Sequence, residues 1–83
     1  MSAFKVTVGY DGGLFKVEGS AHRDSGGIAI DEISDVNLLN DDGTYVTVPK
    51  FVQKIIDETF MEDCSADDQI RDALKKAGQP QED

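Results

Sequence analysis

Eighty-three residues carry 17 acidic and 8 basic side chains, a net charge of −9 that disfavours nucleic acid and anionic membrane surfaces as direct partners. A single cysteine, Cys64, excludes an internal disulfide and a cysteine cage for metal. No apolar run approaches the ~20 residues that span a bilayer, and Lys5 interrupts the N-terminus too early for a signal peptide. The expectation is one α+β domain over residues 1–78 in the cytoplasm, followed by a disordered acidic tail at 79–83.

Phe4, Val6, Val8 and Tyr10 alternate with Lys5, Thr7 and Gly9, which predicts a half-buried strand. Asp11-Gly12-Gly13 supplies the positive φ of a tight hairpin, and a second strand returns over Leu14 to Glu18. Gly19 to Gly27 has three glycines and no large apolar side chain, and reads as a flexible loop presenting His22 and Arg23. Ile28, Ile30, Ile33, Val36 and Leu38 keep a period of two that slips by one, so a long strand with a bulge or bend near Glu32 to Asp35 is expected. Asn40-Asp41-Asp42-Gly43 marks a turn, and Tyr45 to Val48 is the expected fourth strand, ended by Pro49.

A helix follows, with Phe51, Val52, Ile55, Ile56, Thr59 and Phe60 as its core stripe and Lys50, Lys54, Asp57 and Met61 opposite. Met61 is thereby predicted to face water. Ser65 is the expected N-cap of a last helix, with Asp68 completing a capping box. Asp67, Asp68, Lys75 and Lys76 suit its dipole, Asp67–Arg71 and Asp72–Lys76 have favourable i,i+4 spacing, and Gly78 is placed to end it. The architecture expected is an antiparallel four-stranded sheet of two hairpins, followed by two C-terminal helices packed on one face.

Motifs that carry chemistry are weak. Aligning Gly43 with the glycine of a calcium-binding loop puts Leu38 and Pro49 at ligand positions, so a turn is favoured over a metal site. Asp57, Glu58, Glu62 and Asp63 read as a solvated helix flank and not as convergent catalytic carboxylates. His22 has only Ser20 and Ser25 as local nucleophiles, and Cys64 sits among acids that disfavour its thiolate. Neither glycine pair has the lysine and hydroxyl of a phosphate loop. These features lead to the expectation of a non-enzymatic protein that takes no cofactor and no metal.

Charge is the distinctive feature. Residues 1–30 hold three acids and three bases, residues 31–48 hold five acids and no base, and residues 49–83 hold nine acids and five bases. A surface so biased steers basic proteins, including those with a nucleic-acid-binding groove. The candidate contact residues are Asp31, Glu32, Asp35, Asp41, Asp42, Asp57, Glu58 and Glu62, with Tyr45 and Met61 as apolar anchors. The alternative is a self-associating structural or assembly component that pairs an open sheet edge or face.

Glu32-Ile33, Val36, Leu38, Gly43, Val46-Thr47 and the helix from Phe51 to Glu62 resemble a pattern in small acidic proteins encoded by phages and prophages. The resemblance covers about half the chain and departs at Pro49 and at the helix after Ser65. It implies a phage origin and, from what such proteins often do, an inhibitor of host machinery of the anti-CRISPR or anti-restriction kind, acting in the bacterial cytoplasm by occupying a surface.

Overall fold

The computed structural model describes residues 2–78; the tail expected at 79–83 lies outside the described residues. Three strands, β1 (Ser2–Tyr10), β2 (Gly13–Asp24) and β3 (Gly27–Leu39), precede two helices, α1 (Lys50–Glu62) and α2 (Cys64–Ala77). The sheet is antiparallel throughout, in the order β1-β2-β3. It has three strands, not the four expected.

The first turn forms as the glycines predict. Asp11 and Gly12 both take positive φ, at 50° and 81°, and Tyr10 pairs with Gly13 across a two-residue connection. The expected loop at 19–27 is instead mostly strand. β2 continues to Asp24, where the Asp24 carboxylate accepts the Gly26 N–H at 2.8 Å and closes a short turn. Two small residues explain why an apparently featureless segment pairs. Ala21 is fully buried in the core, and Gly19 passes so close to Glu32 that a Cβ would lie 2.0 Å from its carbonyl oxygen.

That close approach belongs to the slip expected in β3. Glu18 pairs with Asp35 but Gly19 with Ile33, and Ser20 pairs with Glu32 but Ala21 with Ile30. Ser34 and Asp31 are thus the extra residues of two bulges, and they return Ile33, Ile30 and Ile28 to the core side.

The fourth strand fails for a specific reason. Leu39 and Tyr45 form a single bridge, and Val46 N–H donates to Leu38 O at 2.9 Å. The next bonded step of that ladder would bring Val48 to Val36. Val36 O is already taken by the Gln53 side chain of α1 at 2.6 Å, and Pro49 turns the chain into the helix. The β3 edge is therefore closed by a helix side chain in place of a strand.

Phe4, Val6, Val8, Val17, Ala21 and Val36 of the sheet meet Phe60, Ala66, Ile70 and Leu74 of the helices in one buried cluster. α2 packs mainly on β1 and α1 on β3. Phe60 joins the layers, with its ring centroid 5.3 Å from Tyr10 and 5.0 Å from Phe15 in tilted geometries. Neither α1 nor α2 covers the opposite face of the sheet, which carries Lys5, Lys16, Glu18 and Asn37.

Both helix ends of α2 follow local rules, with one correction. Its N-cap is Asp63, not Ser65, and the Asp63 side chain accepts the Ser65 N–H. Gly78 takes φ 69° and terminates the helix as expected. Arg71 reaches Asp67 at 2.7 Å and Lys76 reaches Asp72 at 3.0 Å.

The core stripe expected on α1 is only half right. Phe60 is buried and Val52 and Ile56 are half-buried, but Phe51 is 69% exposed and Ile55 58%. Beside the Ile55–Thr59 flank lies the β1–β2 turn, where Gly12 and Gly13 have no side chains to cover it. A groove of about 340 Å³ remains, lined by Tyr10, Phe15, Leu38, Ile55, Thr59 and the turn backbone.

Candidate functional site

Acidic residues gather on one edge of the molecule. Residues 31–63 hold nine acids and two bases, and they make up most of β3, the loop after it, and α1 packed against it. The remaining elements are balanced: residues 2–30 hold three acids and three bases, and so does α2. The charge asymmetry seen along the chain is therefore also an asymmetry across the sheet, from a neutral β1 side to an acidic β3 side.

Not every candidate acid on that edge is available. Both Asp31 oxygens lie 2.9 and 3.0 Å from Nδ1 of His22, and His22 Nε2 lies 3.8 Å from Asp24. His22 is thereby held on a strand by two carboxylates, and is not a group on a free loop. Asp57 accepts from Gln53 at 3.0 Å, through the same amide that closes the β3 edge, so it braces α1 against the sheet. It does not face away from the fold as the helical spacing suggested.

Asp42 accepts the Thr44 N–H at 3.0 Å and the Thr44 hydroxyl at 2.7 Å. Those bonds hold its carboxyl below the ordinary carboxylate value and make it a turn-forming group. Asp35 accepts from Asn37 at 2.8 Å and lies directly across from Glu18. That like-charge pair is eased by Lys5, whose Nζ is 3.9 Å from Glu18. Glu32, Asp41, Glu58 and Glu62 are exposed.

Tyr45 is 53% exposed, and its hydroxyl accepts from Lys16 Nζ at 2.8 Å. The same Nζ is 5.2 Å from the ring centroid. The ammonium thus sits beyond the hydroxyl and not above the ring face, so this contact is a hydrogen bond. Leu14, itself 40% exposed, pairs with Leu39, which bridges to Tyr45, and the three form an apolar corner on the open sheet face.

Spacing placed Phe51 and Ile55 in the core and so missed their part in the site, although Glu58 and Glu62 were among the expected contacts. Phe51, Ile55, Glu58 and Glu62 recur at i, i+4, i+7 and i+11 and so share one outward stripe of α1, apolar in its first half and acidic in its second. The acids lie at the wrong end for the helix. α1 has no acid in its first turn and no base in its last, so Glu58 and Glu62 face the negative end of its dipole. Each such placement is unfavourable by about 0.3–1 kcal/mol at most. In α2 the same rule is obeyed at both ends. The available signal in the sequence was this reversed charge order, with Lys50 and Lys54 leading and Glu58 and Glu62 trailing.

Met61, 67% exposed as expected, lies to the side of this stripe. Cys64 is exposed. Among the described residues, no three His, Cys, Asp or Glu side chains converge in a way that could hold a metal ion. Among them also, no helix is long and apolar enough to cross a membrane. No family model, no curated protein and no solved structure matches the chain.

Proposed function

We propose that the protein is a non-enzymatic binding module that docks its β3–α1 edge on a basic protein. The observation that carries this reading is the outward stripe of α1, where exposed Phe51 and Ile55 continue into Glu58 and Glu62. Solvated aromatic and aliphatic groups of that size gain by burial against a partner. The two acids, which weaken the helix that carries them, gain from a basic surface. The contact region comprises Phe51, Ile55, Glu58, Met61 and Glu62 on α1, with Glu32 and Asp35 on β3, Asp41 and Asp42 in the loop, and Tyr45 at its border. Asp31 and Asp57 support it from within through His22 and Gln53.

A groove that binds nucleic acid is a surface of the matching sign. With the phage resemblance, this makes an inhibitor that occupies such a groove in a host protein the function we favour. Immobilised protein tests the reading in a bacterial lysate. A basic protein retained at low salt, released at high salt, and not retained by Ile55→Ser/Glu58→Lys/Glu62→Lys supports it. Absence of any salt-sensitive partner, or equal capture by the triple variant, overturns it.

A further inference from the structure

The two edges of the sheet are treated differently, and the difference points to a second interface. At the β3 edge, Val36 O accepts from Gln53 and Leu38 O accepts from Val46 N–H. At the β1 edge the outward backbone of Ala3, Thr7 and Gly9 is open among the described residues. Tyr10 and Gly13 close a two-residue hairpin, so Tyr10, Val8, Val6 and Phe4 are the positions bonded to β2. Residues 3, 5, 7 and 9 turn their N–H and C=O groups outward. No hydrogen bond among the described residues reaches the outward backbone of Ala3, Thr7 or Gly9.

We propose that β1 pairs with β1 of a second copy, antiparallel about a two-fold axis at Val6, to give a continuous six-stranded sheet. The register is self-complementary, since it sets Ala3 against Gly9 and Lys5 against Thr7, all outward-bonding positions. Lysine commonly guards an edge against such pairing. Here Lys5 meets Thr7 of the second copy and not another lysine, and its own ammonium lies beside Glu18.

Charge selects a second copy as the occupant in spite of the net −9. Among the described residues, β1, its turn, β2 and α2 together are balanced, and the unbalanced acids lie on β3, the loop after it, α1 and Asp63. Six strands at about 4.8 Å spacing put the two β3 strands roughly 24 Å apart, about three Debye lengths at physiological salt. Beside the junction, α2 presents Gln69, Asp72, Ala73 and Lys76 along a cleft of about 420 Å³ against Thr7, Val8 and Gly9. The two-fold makes the α2 helices antiparallel neighbours. The alanine leaves room for approach, and Asp72 and Lys76 of one copy face Lys76 and Asp72 of the other. This interface is independent of the β3–α1 edge and leaves that edge free at both ends of the dimer.

Sedimentation equilibrium from micromolar to high micromolar concentration tests the pairing. The expected result is a species of twice the 9.0 kDa chain mass. Thr7→Pro removes an outward N–H from each copy, leaves every β1–β2 bond in place, and should weaken association about tenfold or more. Thr7→Glu, opposite Lys5 of the second copy, should tighten it. Should Thr7→Pro fail to fold, amide exchange on the wild type decides: the Ala3, Thr7 and Gly9 amides must slow as concentration rises. A chain monomeric throughout the range, association that survives Thr7→Pro in a folded variant, or exchange at those amides that ignores concentration overturns the proposal.

Discussion

The Tyr10 hydroxyl donates to Oδ2 of Asp63, while Oδ1 of the same carboxylate accepts the Ser65 N–H at 2.8 Å. One side chain thus ties the end of β1 to the start of α2, across 53 positions of sequence. The hydrogen bond from Tyr10, followed by those from the α2 N-terminus, holds the Asp63 carboxyl below the usual carboxylate value. The bond to Asp63 and partial desolvation raise the Tyr10 phenol above its own.

Stability should therefore decline at both pH extremes through this pair. Asp63 is lowered in the folded state, so its contribution is complete above the unfolded carboxylate value near ~4 and is lost as pH falls through the folded value. Tyr10 is raised, so its contribution is complete below about 10 and is lost as pH rises through the folded value. Tyr10→Phe should lower Tm by about 5 °C at neutral pH and flatten both limbs. Melting curves of the two proteins that stay parallel across the pH range would contradict the coupling.

Gly19→Ala should destabilise by roughly 3 kcal/mol, because the new Cβ meets the Glu32 backbone oxygen and cannot move aside without breaking the bulge. Gly9→Ala is the control, with nothing within 4 Å of its Cβ, and should stay within about 0.5 kcal/mol of wild type. Urea unfolding of both separates crowding from a general intolerance of alanine in strands.

Two phenylalanines of α1 should behave oppositely. Phe60→Ala removes the ring that packs in tilted contact with Tyr10 and Phe15 in the core and should cost about 3–5 kcal/mol. Phe51→Ser, at an exposed site, should change stability by less than about 0.5 kcal/mol. Equal losses in denaturant titrations would place Phe51 in the core and remove it from the docking stripe.

Gln53→Ala should cost about 1 kcal/mol by leaving Val36 O without its amide donor. The same change removes the amide that donates to Asp57 one turn along α1. Chemical denaturation reads the loss, and an unchanged midpoint would mean that the β3 edge is closed by packing alone.

Periodicity made β1, the first hairpin, the slip in β3 and both helices legible, because each follows from contacts a few residues long. The pairing of residues 19–24 was hidden: its evidence is a glycine pressed against Glu32 and an alanine under the helices, and both read locally as absence of side chain. Tyr45 to Val48 has strand composition, but its ladder position is occupied by a residue of α1. Composition cannot anticipate that competition.

The same division holds for the candidate site. The sequence by itself determined that the charge is acidic, that it falls after residue 30, and that α2 uses its share for ion pairs and for its dipole. These are properties of a linear order and of one helical repeat. Only the tertiary structure decided which acids are held by His22, Gln53 and Thr44, and that Phe51 and Ile55 join Glu58 and Glu62 on an open stripe. Burial depends on what stands opposite a side chain, and beside Ile55 the fold places two glycines from the far end of a hairpin.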